Sequence, residues 1–137
     1  MEKQKIDFND LYDGYGFSPT TFTLNDTLVK AYIQAVEEQS TLYRDSKLVP
    51  PMAVVALAMA ELSQSVVFPN GAIHVSQEVN FMKAAHIGDI VTSQAKVIRK
   101  QKRGPLHMLT IEFRAVDADL KEIMTGITEF ILPVSGI

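Results

Sequence analysis

Cysteine is absent from the 137 residues. That excludes a disulfide scaffold, a Cys-ligated zinc site, an iron–sulfur cluster and a Cys nucleophile. It also fits a reducing cytosol. A basic excess is missing too. The 13 Lys and Arg stand against 16 Asp and Glu, for a net charge of −3 and a pI near 5.5, which lacks the electrostatic footprint of a nucleic-acid binder. Long apolar runs are lacking: the longest charge-free apolar stretch, residues 48–60, holds two prolines and falls short of the roughly 18 residues a membrane span needs. The start, Met1-Glu2-Lys3-Gln4-Lys5, is polar and leads into no apolar signal core. A cytoplasmic location is therefore expected. No Gly-rich phosphate loop, Gly-x-Ser-x-Gly elbow or His-Glu-x-x-His pair occurs. Three scattered histidines have no metal-ligand spacing, so no metal and no resident cofactor are expected.

What is present is an ordinary globular composition, 47% apolar and 21% charged, of the length of one domain. Residues 1–16 mix charge, aromatics and glycine and read as an irregular lead-in to a single domain over 1–137. Residues 17–24 suggest a short strand interrupted by Pro19. Leu28, Ala31, Tyr32, Ala35 and Val36 then recur at helical spacing, with Asn25 or Asp26 as N-cap. That helix is expected to stop near residues 38–40, before a polar loop over 39–47. From Met52 to about Val66 a second helix is apolar nearly all round, with proline at its start. Such a helix must be buried on most sides. Something has to wrap it.

The wrapping material follows. Ile73, Val75, Val79 and Phe81 alternate with polar residues as in a half-buried strand, with Gln77 out of pattern. After a turn at Gly88-Asp89, residues 90–100, 106–116 and 123–132 predict three long strands in an antiparallel meander. One long antiparallel sheet around one apolar helix is an α+β arrangement of the hot-dog type.

The segment from Gly71 through Phe81, followed by Ile87-Gly88-Asp89-Ile90-Val91, resembles the MaoC-like hydratase/dehydratase family over about residues 17–133. The resemblance implies a hot-dog fold and chemistry on an acyl thioester of coenzyme A or acyl carrier protein. The family's active segment, with Gly-Asp, Asn-Pro, a hydrophobic residue and His, and a further Asp, falls without gaps on residues 32–45. Its catalytic Asp lands on Glu38, its Asn-Pro on Ser40-Thr41 and its His on Tyr43. The chain is thus similar to the non-catalytic half of tandem or two-subunit members.

In that chemistry a base activates water at C3, an acid delivers a proton at C2, and backbone N–H groups hold the enolate oxygen. Glu38 is the candidate base, or else a solvated carboxylate at a helix C-terminus. Tyr43 is a candidate donor to a carbonyl or a water; a phenol's reference pKa near 10 makes it a poor proton shuttle. Met52 and Ala53 are the candidate oxyanion amides, since Pro51 has no N–H. Val54, Val55 and Leu57 offer an acyl wall. His74 either faces a partner's cleft or water, whereas His86 and His107 read as solvated. Glu61, the one charge inside the apolar helix, is the rival residue for a thioesterase. The basic run Lys96, Arg99, Lys100, Lys102 and Arg103 reads as a solvated hairpin end or as a contact for coenzyme A phosphates.

Three readings stay open: a hydratase or dehydratase, a non-catalytic acyl-binding subunit beside a catalytic chain, and a thioesterase. An exposed sheet edge and apolar face predict a dimer, with itself or with another hot-dog chain.

Overall fold

The computed structural model describes residues 5–133. Its main sheet has five antiparallel strands, formed by β2 (Thr20–Thr23), β4 (Ile73–Phe81), β5 (Ile90–Arg103), β6 (Leu106–Val116) and β7 (Glu122–Pro133). Their order is β2-β5-β6-β7-β4. The last three strands in sequence make the expected meander, and β4 adds to the far side of β7 rather than beside β5. A parallel pair of β1 (Ile6–Asp7) and β3 (Val66–Val67) stands apart. This is the hot-dog architecture, with the helix α3 (Pro51–Ser63) packed on the sheet against β5 and β6. No helix among the described residues is long and apolar enough to cross a membrane.

Proline at the start of α3 fits because a first-turn N–H has no intrahelical acceptor. The helix stops at Ser63, short of the expected Val66, and Val66 pairs with Ile6 instead. Ala53, Val54, Val55, Ala58 and Leu62 are buried. Met52, Ala56 and Ala60 are exposed at i, i+4 and i+8, so one chain covers only part of this helix. Its uniform apolarity hid which face was which.

Other expectations are corrected as well. α1 (Asp26–Ala35), capped by the Asn25 side chain at 2.8 Å, turns Val29, Tyr32 and Ile33 inward. Leu28, Ala31, Ala35 and Val36 are exposed, so the inward stripe is shifted by one residue. The apolar arc on this short helix is too wide for periodicity to select one stripe. Within the polar loop lies a one-turn helix, α2 (Thr41–Arg44), capped by Ser40. The lead-in is part of the core: Phe8 and Leu11 are buried with Leu62, Val66, Leu109 and Leu132. Lys100 Nζ holds them there by donating to the carbonyls of Phe8 (2.8 Å), Asn9 (3.0 Å) and Leu11 (3.1 Å).

β4 differs most from its reading as half-buried. Ile73 is 59% exposed, and Val75 and Phe81 are 47% exposed, because β4 is an edge with no neighbour on one flank. A bulge leaves Val75 without a partner between His74 and Ser76. Residues paired across two strands share a face, and of the β7 residues opposite β4 the buried ones are Met124, Gly126, Thr128 and Phe130. Their partners Phe81, Val79, Gln77 and His74 therefore face inward. The extra residue reverses the alternation. The bulge precedes Gln77, which keeps the phase of Val79 and Phe81 and stays a polar residue on that face.

Candidate functional site

The first helix ends in a way that aims Glu38. Glu37 N–H donates to Gln34 O (3.2 Å) and Glu38 N–H to Ile33 O (3.0 Å), with Glu37 at φ 56°. This is a Schellman stop, whose left-handed residue is usually glycine. In the gap-free overlay on the MaoC-like segment, the glycine before the family's Asp falls on Glu37. Glu37 itself holds the left-handed conformation that glycine usually supplies at this position. Ser40 then caps α2, and its own N–H donates to Glu38 Oε1 at 2.9 Å.

Two cavities meet at Tyr43. A cavity of about 440 Å³ is lined by Asp26, Lys30, Glu38, Ser40 and Arg44 together with Tyr43 and the apolar Val29, Ile33 and Ile87. Within it Lys30 pairs with Asp26 at 2.8 Å. The other, about 390 Å³, is mostly apolar, with Leu42, Tyr43, Val49, Val54, Phe81 and Met82 among its walls. Lys83 also lines it, and is tied to Asp117. Both volumes lie in the range of small-molecule sites. The pair offers an apolar compartment and one of mixed, more charged lining, with a phenol where they join.

The structure thus brings Glu38 and Tyr43 to one site. It separates other candidates from them. Ala53 N–H is already donated to Pro50 O at 2.9 Å, so it is not a free oxyanion donor. Met52 N–H has no acceptor among the described residues and remains at the start of α3. Of the proposed acyl wall, Val54 lines the apolar cavity; Val55 lines neither of the two cavities. His74 lies seven residues along β4 from Phe81, about 23 Å at strand rise. Its Nε2 is 2.6 Å from Thr128 Oγ1, and its ring stacks on Phe130. That puts it on the face of Thr128 and Phe130, opposite to the one simple alternation gives, while it stays exposed at the sheet edge. His86 alternates with the inward Ala85 and points away, with its N–H on Asp89 Oδ2. His107 packs edge-on against Phe8. Burial, with Lys100 and Lys102 nearby, pushes its pKa down.

Glu61 borders a space of about 10 Å³, room for one water at most. The basic run climbs β5 away from the site: Lys100 is ten residues beyond Ile90, about 33 Å. No group of three or more His, Asp or Glu among the described residues is placed to hold a metal ion. Sequence reasoning missed Lys30, Arg44 and Lys83, which line the cavities. Only Lys83 had a signal, as the charged residue between the Phe81 strand end and the Gly88-Asp89 turn.

Comparison with known proteins supplies the family. The model described as "FAS1-like, dehydratase domain region" matches residues 13–126. No curated protein matches the sequence significantly. Among solved structures, a monoamine oxidase regulatory protein from Archaeoglobus superposes with TM-score 0.79 at 15% identity, over 97% of each chain. The unliganded R-hydratase PhaJ1 of Pseudomonas aeruginosa gives 0.79 at 16% identity, over 96% of this chain and 88% of its own. The truncated HadBC (3R-hydroxyacyl-ACP dehydratase) complex of Mycobacterium tuberculosis gives 0.69 at 17%, over 88% and 97%. At these identities the superpositions show a shared fold.

Proposed function

Because the chain belongs to the FAS1-like dehydratase domain family, of the MaoC-like hot-dog kind, we propose that it binds an acyl thioester of coenzyme A or acyl carrier protein as the non-catalytic subunit of a hydratase or dehydratase. Another hot-dog chain supplies the Asp/His pair. One observation carries this reading: among the described residues no imidazole lines either cavity that meets at Tyr43. Moving water across the 2,3-bond requires a group that both takes and returns a proton near neutral pH. The apolar cavity receives the acyl chain, the polar cavity receives the carrier arm, and Tyr43 stands at the thioester between them.

A second reading has its own support. Glu38 is a carboxylate on the wall of the polar cavity, held by Ser40 N–H, and it suits a lone general base. One assay separates the two. Purified protein is mixed with crotonyl-CoA and with a longer enoyl-CoA, and heat of binding, enoyl absorbance and free thiol are followed. Binding with no change in absorbance supports the subunit reading, and Tyr43→Ala then weakens binding. Hydration by the chain alone, lowered about 100-fold by Glu38→Gln, replaces it with the catalytic reading. Thiol release points to a thioesterase and overturns both.

A further inference from the structure

His107 stands beneath the lead-in with a nitrogen that nothing answers. The residue is half-buried, and its Nδ1 is enclosed without a hydrogen-bond partner among the described residues. Its ring meets that of Phe8 with 5.7 Å between centroids and the planes 71° apart. From β5, Lys102 pairs with it in register, and Lys100 lies two residues along on the same face. β7 sets Leu132 opposite it. The lead-in supplies no counter-charge. Asp7 accepts from the Asn9 N–H at 2.9 Å and Asp13 from the Lys100 N–H at 2.7 Å. Neither they nor Asp10 forms an ion pair with the ring.

An imidazolium carries an N–H on both ring nitrogens, whichever tautomer precedes it. Protonating His107 therefore leaves a buried N–H without an acceptor, at the full desolvation cost of that group. It also adds a third cation beside Lys100 and Lys102. Lys100 is the group that ties the lead-in down, through the carbonyls of Phe8, Asn9 and Leu11. Its Nζ also lies over the Phe8 ring, 5.4 Å from the centroid, so that ring has little left to offer a second cation.

The lead-in is the segment with least to hold it. Apart from Lys100 and the burial of Phe8 and Leu11, it has the two-residue pairing of β1 with β3. It rejoins β5 at Gly14, whose N–H donates to Val97 O at 2.8 Å. β6, by contrast, is paired along its length on both flanks. Local opening takes the weakly held segment first. Lifting the lead-in brings water to Nδ1 without breaking any strand pair of the main sheet.

We propose that residues 6–11 form a proton-sensitive strap: protonation of the His107 ring releases them while the main sheet stays folded. The sign follows from the ring's surroundings. Burial, then Lys100 and Lys102, hold its pKa below the ordinary 6.5 while the strap is closed. The open form binds the proton more readily, so the strap is secure above that value and loosens as pH falls below it.

Amide hydrogen exchange, followed residue by residue by NMR near pH 7.5 and near pH 5, reads strap and sheet together. Protection factors remove the intrinsic pH dependence of exchange. The strap is read from the N–H groups of Ile6 and Leu11, which are bonded to Ser65 O and Phe8 O. Their protection is expected to fall about tenfold at the lower pH, the scale of one buried N–H left unpaired, while β6 amides keep theirs. In His107→Phe, which keeps a ring and takes no proton, strap protection stays level. Wild-type protection that is equal at both pH values overturns the proposal. So does a fall that persists in His107→Phe, since His74 and His86 are still present there. An equal fall in strap and β6 is unfolding of the whole domain and overturns it too. Should His107→Phe fail to fold, His107→Gln is read by the same criteria.

Discussion

Lys83 Nζ donates to Asp117 Oδ2 and so fastens the connection between β4 and β5 to the turn between β6 and β7. Asp117 is itself held in place, its Oδ1 accepting from the N–H groups of Asp119 and Lys121 at 2.9 Å each. Since Lys83 lines the apolar cavity, the pair fixes that cavity's wall from behind.

The pair sets a pH window for stability. The Lys83 hydrogen bond, then the Lys121 amide, hold the Asp117 carboxyl below its ordinary value of 3.8. The Asp117 hydrogen bond holds Lys83 above its ordinary 10.5. The carboxylate's contribution is complete above about pH 3.8 and is lost as pH falls through the lowered native value. The ammonium's contribution is complete below about pH 10.5 and is lost as pH rises through the raised one. Asp117→Asn is therefore expected to lower the melting temperature at pH 7 and to lessen the further drop toward pH 3. Thermal melts of both proteins from pH 3 to 7 check this, and parallel acid limbs would refute it.

Gly126 leaves space for an aromatic ring. A Cβ there would meet Phe113 Cζ at 2.5 Å and the Glu78 carbonyl oxygen at 2.6 Å. The ring and a backbone oxygen close on it from two sides, so neither yields without moving β4 or β6. Gly126→Ala is expected to destabilise by about 1–3 kcal/mol, the usual cost of overpacking. Urea denaturation measures it, and a change under 0.5 kcal/mol would show that the strands give way freely.

Glu37 points the other way. A non-glycine residue in the left-handed region costs about 1–2 kcal/mol, part of which glycine returns as chain entropy in the unfolded state. Glu37→Gly is expected to stabilise by roughly 0.5–1 kcal/mol. Glu37 lines neither cavity, so crotonyl-CoA binding should stay as in wild type. A loss of stability in urea would show that the helix stop is unstrained.

The legible parts of this fold were those with a single strong local signal. Asn25 before an amphipathic run marked the start of α1, and Gly88-Asp89 marked the turn into β5. The spacing from Glu38 to Tyr43 put both on one site because the helix stop and the Ser40 cap are local, read from neighbours in sequence. The remainder depended on distant partners. Nothing near Phe8 says that Leu109 and Leu132 will cover it. A one-residue bulge at Val75 moved His74 from the outer face to the inner, and alternation alone cannot reveal a bulge. The Ala53 N–H is a local exception: its acceptor, Pro50 O, lies only three residues back, and composition does not disclose that turn.

The buried lead-in also bears on how the protein is born. Phe8 emerges from a ribosome about 100 residues ahead of His107, the ring it packs against, and still further ahead of Phe130 and Leu132. At about 5–20 residues per second, those apolar side chains wait some 5–20 seconds for their cover. Phe8 and Leu11 are made well before the strands that cover them.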